Sequence, residues 1–151
     1  MLGPFLGKLR KGFDLVMGDR FRGGIRKDAI PWPNRYIGNP ALSAMGRLMF
    51  DTSIRDFHCG LRGFSRDAFA RMDLRTTSME FASEMVAKAA LAGMRIAEVP
   101  TTLDPALPSR RSHLRPCRDA LRHIRLMLAC RRAHRISANA GPSGISAGGR
   151  E

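Results

Sequence analysis

Long apolar runs are missing from this sequence, and their absence excludes a good deal. No stretch approaches the roughly 18 uninterrupted apolar residues of a membrane-spanning helix, so any work at a membrane is expected from its surface. The opening segment, MLGPFLGKLRKGFDLVMG, has apolar runs too short for a signal peptide and no small-residue cleavage site. Cysteine is sparse: Cys59, Cys117 and Cys130 form no Cys-x-x-Cys pair. An odd count without a secretion signal predicts reduced thiols and a cytoplasmic setting. Lysine is sparse too, at four of the 26 basic residues. The excess of base over the 13 acidic residues, a formal charge of +13, is therefore carried by arginine, which suits forked contacts with phosphate or carboxylate. Anionic partners follow: nucleic acid, acidic lipid headgroups or a phosphorylated substrate. The single Trp and single Tyr, with eight Phe mostly at apparent core positions, argue against a stacking platform for single strands. Internal repeats are absent.

What is present reads as one mixed α/β unit, strand–helix–strand–helix–helix–strand. Residues Phe5 to Lys11 predict a short helix stopped by Gly12, and Phe13 to Met17 a buried strand ending at Gly18-Asp19-Arg20. Phe21 to Trp32, with paired glycines and nearby prolines, reads as a loop. Asn39-Pro40 predicts a helix start, Asn at the cap and Pro at the first turn, with Leu42, Met45 and Met49 at helical spacing. Cys59 to Phe64 reads as an irregular strand, after which Ser65 caps a helix to about Met72. Thr77 to Glu80 fits a capping box for a helix carrying Phe81, Met85 and Ala89 on one face and ending at Gly93. Met94 to Val99 reads as a strand closed by Pro100. A last helix opens at Pro116, with Cys117, Leu121, Ile124 and Leu128 as its apolar stripe and Arg115, Arg118, Arg122 and Arg125 as its basic one. The domain is expected over residues 1–132. The Ser-, Ala- and Gly-rich remainder, 133–151, has too little apolar content to fold and is expected to be disordered.

Four constellations could carry chemistry. Arg20 follows a strand's carboxyl end, where ligands bind in open α/β sheets; the plain alternative is a surface arginine on a turn. Arg35 and Asn39 flank the expected helix start, whose unpaired N–H groups suit an anion, although Asn39 caps under either reading. Asp56, His58 and Cys59 lie close together, but their spacing is wrong for zinc. No second His sits in a plausible partner segment for a catalytic cysteine. By pattern alone Asp56 is a turn residue. Arg110 and Arg111, among serines, suit phosphate contact or form a solvated loop.

The segments GFDLVMGDRFRGGI, PWPNRYIGNPALS, DFHCGLRGFSRDAF, MEFASEMVAKAALAGMRIAEVPTTL and SRRSHLRPCRDALRHIRLML occur in that order. Together, over roughly residues 5 to 128, they resemble the second half of family 2 glycosyltransferases of the dolichol-phosphate mannosyltransferase type. The resemblance implies a partial GT-A-like α/β fold, its acceptor-side half, with a basic C-terminal helix. It implies transfer of a hexose from a nucleotide sugar to a polyprenyl phosphate, with Mg or Mn in the intact family. Arg20 then resembles the arginine facing the donor site, and Arg35 and Asn39 resemble acceptor-phosphate contacts. Asp56 resembles the acidic residue near the reacting phosphate or acting as base, and Arg110 or Arg111 the cation of the acceptor loop. Glu80 and Glu84 fall on the helix that supports the site.

The departures carry equal weight. The family's first half ends in an Asp-x-Asp metal motif, and none occurs in these 151 residues. Asp19 stands where Ser or Asn is expected. No metal is therefore expected to bind this chain, nor is transfer by the chain alone, since a sugar-nucleotide leaving group needs its charge neutralised. The chain reads as a truncated piece or as one half of a split enzyme with a separate N-terminal half. Leu15, Val16 and Met17 are then expected to expose apolar surface. The alternatives are a basic nucleic-acid-binding module and a peripheral membrane module at an anionic surface, built on residues 115 to 132.

Overall fold

The computed structural model describes residues 2–27, 29–77, 80–105 and 116–139. A helix α1 (Leu2–Arg10) leads through Gly12, at φ +81°, into strand β1 (Leu15–Asp19). A one-turn helix α2 (Arg20–Gly23) follows, then a π-helical turn (Asn34–Gly38) running directly into α3 (Asn39–Phe50). Next come β2 (Arg62–Phe64), α4 (Arg66–Met72), α5 (Phe81–Leu91), β3 (Ile96–Pro100) and α6 (Pro116–Asn139). The expected strand and helix order is present, with α2 standing at the start of the segment read as loop.

The sheet has the order β2-β1-β3. β1 pairs antiparallel with β2, Met17 opposite Arg62, and parallel with β3, Leu15 opposite Ile96 and Asp19 opposite Pro100. A parallel bridge, Ile25 to Leu103, extends the pairing past the strand ends. Alternate residues of β1 serve two cores. Leu15 and Met17 pack with Phe50, Ile54, Phe57, Met85 and Met127, while Val16 packs with Phe5, Ala97 and Val99 on the α1 face. A strand covered on both faces reads as continuously apolar. Leu15, Val16 and Met17 are all fully buried, so the expected apolar surface there is corrected: α1 closes one face and the later helices the other. β2 and β3 remain as edges of the sheet among the described residues.

Three local expectations also change. Asn39 does not cap α3; it is helical itself, and its N–H donates to the Asn34 carbonyl. Pro40 has no N–H to give the α-helical ladder, and the chain accommodates that gap with a π-helical turn upstream. Glu80, expected three residues inside a helix, stands instead at the cap position of α5 without a side-chain capping bond; Ser78 and Met79 lie outside the described residues. In α6 the buried side chains are His123 and Met127, with Cys130 packed beside them, whereas Leu121 and Leu128 are 53% and 51% exposed. The side chain of Cys117 and all of Arg115 lie outside the described residues. The helix also runs to Asn139, beyond the boundary at 132, because Ala133, Arg135 and Ile136 favour or tolerate helix. Ser65 caps α4 as expected, accepting from the Ala68 N–H.

Candidate functional site

The site begins where β1 ends. β1 delivers Arg20 to the carboxyl edge of the sheet, and Asp19 caps the short α2 by accepting from the Arg22 N–H at 3.1 Å. Arg20 turns onto Asp56. Its Nε and Nη2 donate to Oδ2 and Oδ1 at 2.6 and 2.7 Å, and its main-chain N–H reaches Oδ2 at 3.2 Å. Asp56 is fully buried, so this fork is a charge-assisted contact with little water around it. Burial alone lowers the Arg20 pKa, but the Asp56 carboxylate outweighs it and the net shift is upward. Both Asp56 oxygens accept from one guanidinium, so the carboxylate fixes the orientation of Arg20.

The loop holding Asp56 is itself held from several sides. Glu98 of β3 accepts the main-chain N–H groups of Arg55 and Asp56 through one oxygen, at 2.8 and 3.1 Å. Burial raises the Glu98 pKa, with the neighbouring Asp19 and Asp56 adding to it and the two N–H bonds opposing. Arg62 donates to the carbonyls of Phe57, Cys59 and Ala82. Its burial pushes its pKa down to about 10. Phe57 packs on α3 at Gly46, where a Cβ would lie 2.7 Å from the ring; its N–H donates to Ser43 Oγ at 3.3 Å. His58 faces Ser83 and His123. Ser83 Oγ is 2.8 Å from His123 Nδ1 and 3.5 Å from His58 Nε2. Glu98, Arg62, Ser43, Ser83 and His123 were not marked by sequence pattern. Glu98 alone offered a signal, as a carboxylate inside an otherwise apolar strand.

Arg20 also lines a cleft of about 300 Å³ with Phe21, Gly24, Ile25, Arg35, Tyr36 and Pro40. Two of the expected anion-binding arginines, Arg20 and Arg35, thus share one depression with apolar walls. Asn39 is not among its lining residues, and its N–H is already used within the helix. Arg110 and Arg111 lie outside the described residues. Among the described residues no three His, Cys, Asp or Glu side chains converge as a metal site would. Asp56 engages Arg20 through both oxygens, while Asp19 Oδ2 is buried with no hydrogen-bond partner among the described residues.

No family model matches the chain. Curated relatives do, all from Haloferax volcanii. The chain is 37% identical over 128 residues to the low-salt glycan biosynthesis hexosyltransferase Agl6, covering 84% of this chain and 30% of that protein. It is 33% identical over 119 residues to glycosyltransferase AglJ, covering 79% and 37%. To a dolichyl-phosphate hexose transferase it is 29% identical over 113 residues, covering 69% and 48%. The chain thus spans less than half the length of each of these relatives. The mixed helix-and-sheet arrangement agrees with a partial GT-A-like fold.

Proposed function

We propose that this chain, similar over most of its length to glycosyltransferases, forms the acceptor side of hexose transfer to a polyprenyl phosphate. The observation that carries this reading is the cleft shared by Arg20 and Arg35. Two guanidinium groups suit a phosphate head. Phe21, Ile25, Tyr36 and Pro40 beside them suit the first isoprene units. Asp56 would hold the Arg20 fork in place, leaving the unused face of that guanidinium for the ligand. The nucleotide sugar and its Mg or Mn would be held by residues outside this set, since the chain has no Asp-x-Asp. We therefore expect no transfer from any nucleotide sugar by the isolated chain, whether alone or with either metal. Its placement would be peripheral, at the cytoplasmic surface of a membrane. Among the described residues no helix is long and apolar enough to cross one.

The binding test uses the chain as it is. Trp32, the sole Trp, lies with its ring centroid 5.9 Å from that of Tyr36, tilted by 45°, and Tyr36 is a wall of the cleft, so its fluorescence reports occupancy. Farnesyl phosphate should change that fluorescence saturably, and farnesol should not. Arg20→Gln and Arg35→Gln should each weaken binding about tenfold, the equivalent of roughly 1.4 kcal/mol. Equal response to phosphate and alcohol, or unchanged affinity in both variants, would refute the acceptor assignment.

A further inference from the structure

A second cleft adjoins the first. It is larger, about 480 Å³, and is lined by Phe21, Pro40, Arg47, Ser53 and Arg55. Phe21 and Pro40 belong to both clefts, so they form a shared apolar ridge with basic groups on either side. We propose that the Arg47–Ser53–Arg55 cleft is a second anion site, built for a phosphate group.

Its construction supports this. Arg47 lies in the last turn of α3, and Ser53 and Arg55 lie on the connection that follows. That connection is fixed at both ends. The N–H groups of Asp51 and Thr52 return to the Arg47 carbonyl, and the Arg55 N–H is held by Glu98. The two arginines therefore project from positioned backbone rather than from a free loop. Among the described residues no carboxylate lines the cleft. Neither guanidinium takes part in an ion pair among the described residues, although Arg20, Arg26, Arg71, Arg75 and Arg122 all do. Two like charges facing one depression repel, and an anion between them turns that repulsion into attraction. The planar fork of each arginine and the hydroxyl of Ser53 supply donors in the geometry that phosphate oxygens accept. The inference is independent of the acceptor assignment, because it involves neither Arg20 nor Arg35.

A phosphate group could arrive free in solution or as the headgroup of an anionic lipid, and two arms separate these sources. One measures inorganic pyrophosphate binding by equilibrium dialysis at constant ionic strength. The other measures co-flotation with phosphatidylglycerol vesicles against phosphatidylcholine vesicles. The full chain is compared with Arg47→Gln/Arg55→Gln and with a charge-matched control, Arg10→Gln/Arg66→Gln, whose side chains are exposed and line neither cleft. Arg55→Gln alone is included because an exposed arginine can be changed without unfolding the chain. The proposal expects the paired variant to lose tenfold or more in at least one arm, the single variant several-fold, and the control little. Loss in the pyrophosphate arm marks a soluble ligand, and loss confined to vesicles marks a lipid headgroup. Equal loss in the control and the paired variant, or no loss in either arm, would overturn it.

Discussion

His58 shows how a single side chain can report on the packing around the site. Its Nδ1 is buried without a hydrogen-bond partner among the described residues. Its ring meets that of His123 edge-on at 4.9 Å. Burial pushes its pKa down to about 4; His123, Arg20 and Arg62 reinforce the shift and Asp56 opposes it. His123 is lowered as well, by burial first and then by Arg122, against Glu80 and Asp119. In the unfolded chain both return to about 6.5. Between pH 6.5 and 4 the unfolded state therefore binds protons that the folded state refuses, and stability falls as pH falls. For His58 the loss is at most about 3 kcal/mol, complete below its folded pKa. Glu84 acts in a separate window. Burial pushes its pKa up, but bonds from Lys88, Thr76 and Arg75 bring it down to about 2, so its contribution fades only between pH 4.5 and 2. The melting temperature should therefore drop between pH 7.5 and 5, and His58→Gln should flatten that drop by half or more. A flat profile in the parent would contradict it. None of this was legible in the sequence, where His58 stands only beside Asp56 and Cys59. His123 approaches it through a helix 65 positions later, and spacing rules do not reach that far.

At the scale of elements, sequence succeeded where the signal was local and failed where a neighbour decided. Ser65 had an apolar helix behind it and free N–H groups to accept, so its cap formed. Asn39 had the same chemistry, but the preceding residues were already helical, and no free N–H remained for it to cap. Glu80 was drawn away by a partner: it pairs with Arg122 Nε at 2.5 Å, joining α5 to α6. The same partner choice turns α6. An apolar stripe through Leu121 and Leu128 fits helical periodicity, yet the helix rotates to present His123 and Met127, because Ser83 bonds His123 and Met127 fills the core beside Met85. This rotation is testable. Met127→Ala should cost about 2–5 kcal/mol, as a buried truncation does. Leu128→Ala should cost less than about 0.5 kcal/mol, as a surface change does. Urea denaturation of the two variants decides it, and the reverse order would restore the stripe expected from sequence.

For the whole molecule, the rotation of α6 changes what its outer face offers. Leu121, Leu128 and Ile136 are exposed there, interleaved with exposed Arg118, Arg125, Arg132 and Arg135. Positions 121, 125, 128, 132 and 135 advance by four, three, four and three, so leucines and arginines share one face instead of occupying opposite ones. A face of that kind can set leucines shallowly into a lipid surface while the arginine stems reach out to headgroup phosphates. The chain's formal charge of +13 supplies long-range attraction to the same surface. Each exposed arginine near anionic lipid contributes about 1 kcal/mol, so three or four would hold the chain there weakly and in a salt-sensitive manner. The chain should bind vesicles containing anionic lipid at low salt, bind neutral vesicles little, and lose most of the binding in Arg118→Gln/Arg122→Gln/Arg125→Gln. Arg122 should contribute the smallest share, because Glu80 already engages it. Leu121→Ser/Leu128→Ser should weaken what remains at high salt, where the arginine term is screened and the apolar term is not. Undiminished binding by the triple variant would remove α6 as the anchor. A preference for RNA over vesicles at equal ionic strength would instead put the nucleic-acid reading of the charge ahead, with Trp32 and Tyr36, both exposed beside Arg35, as its stacking surface.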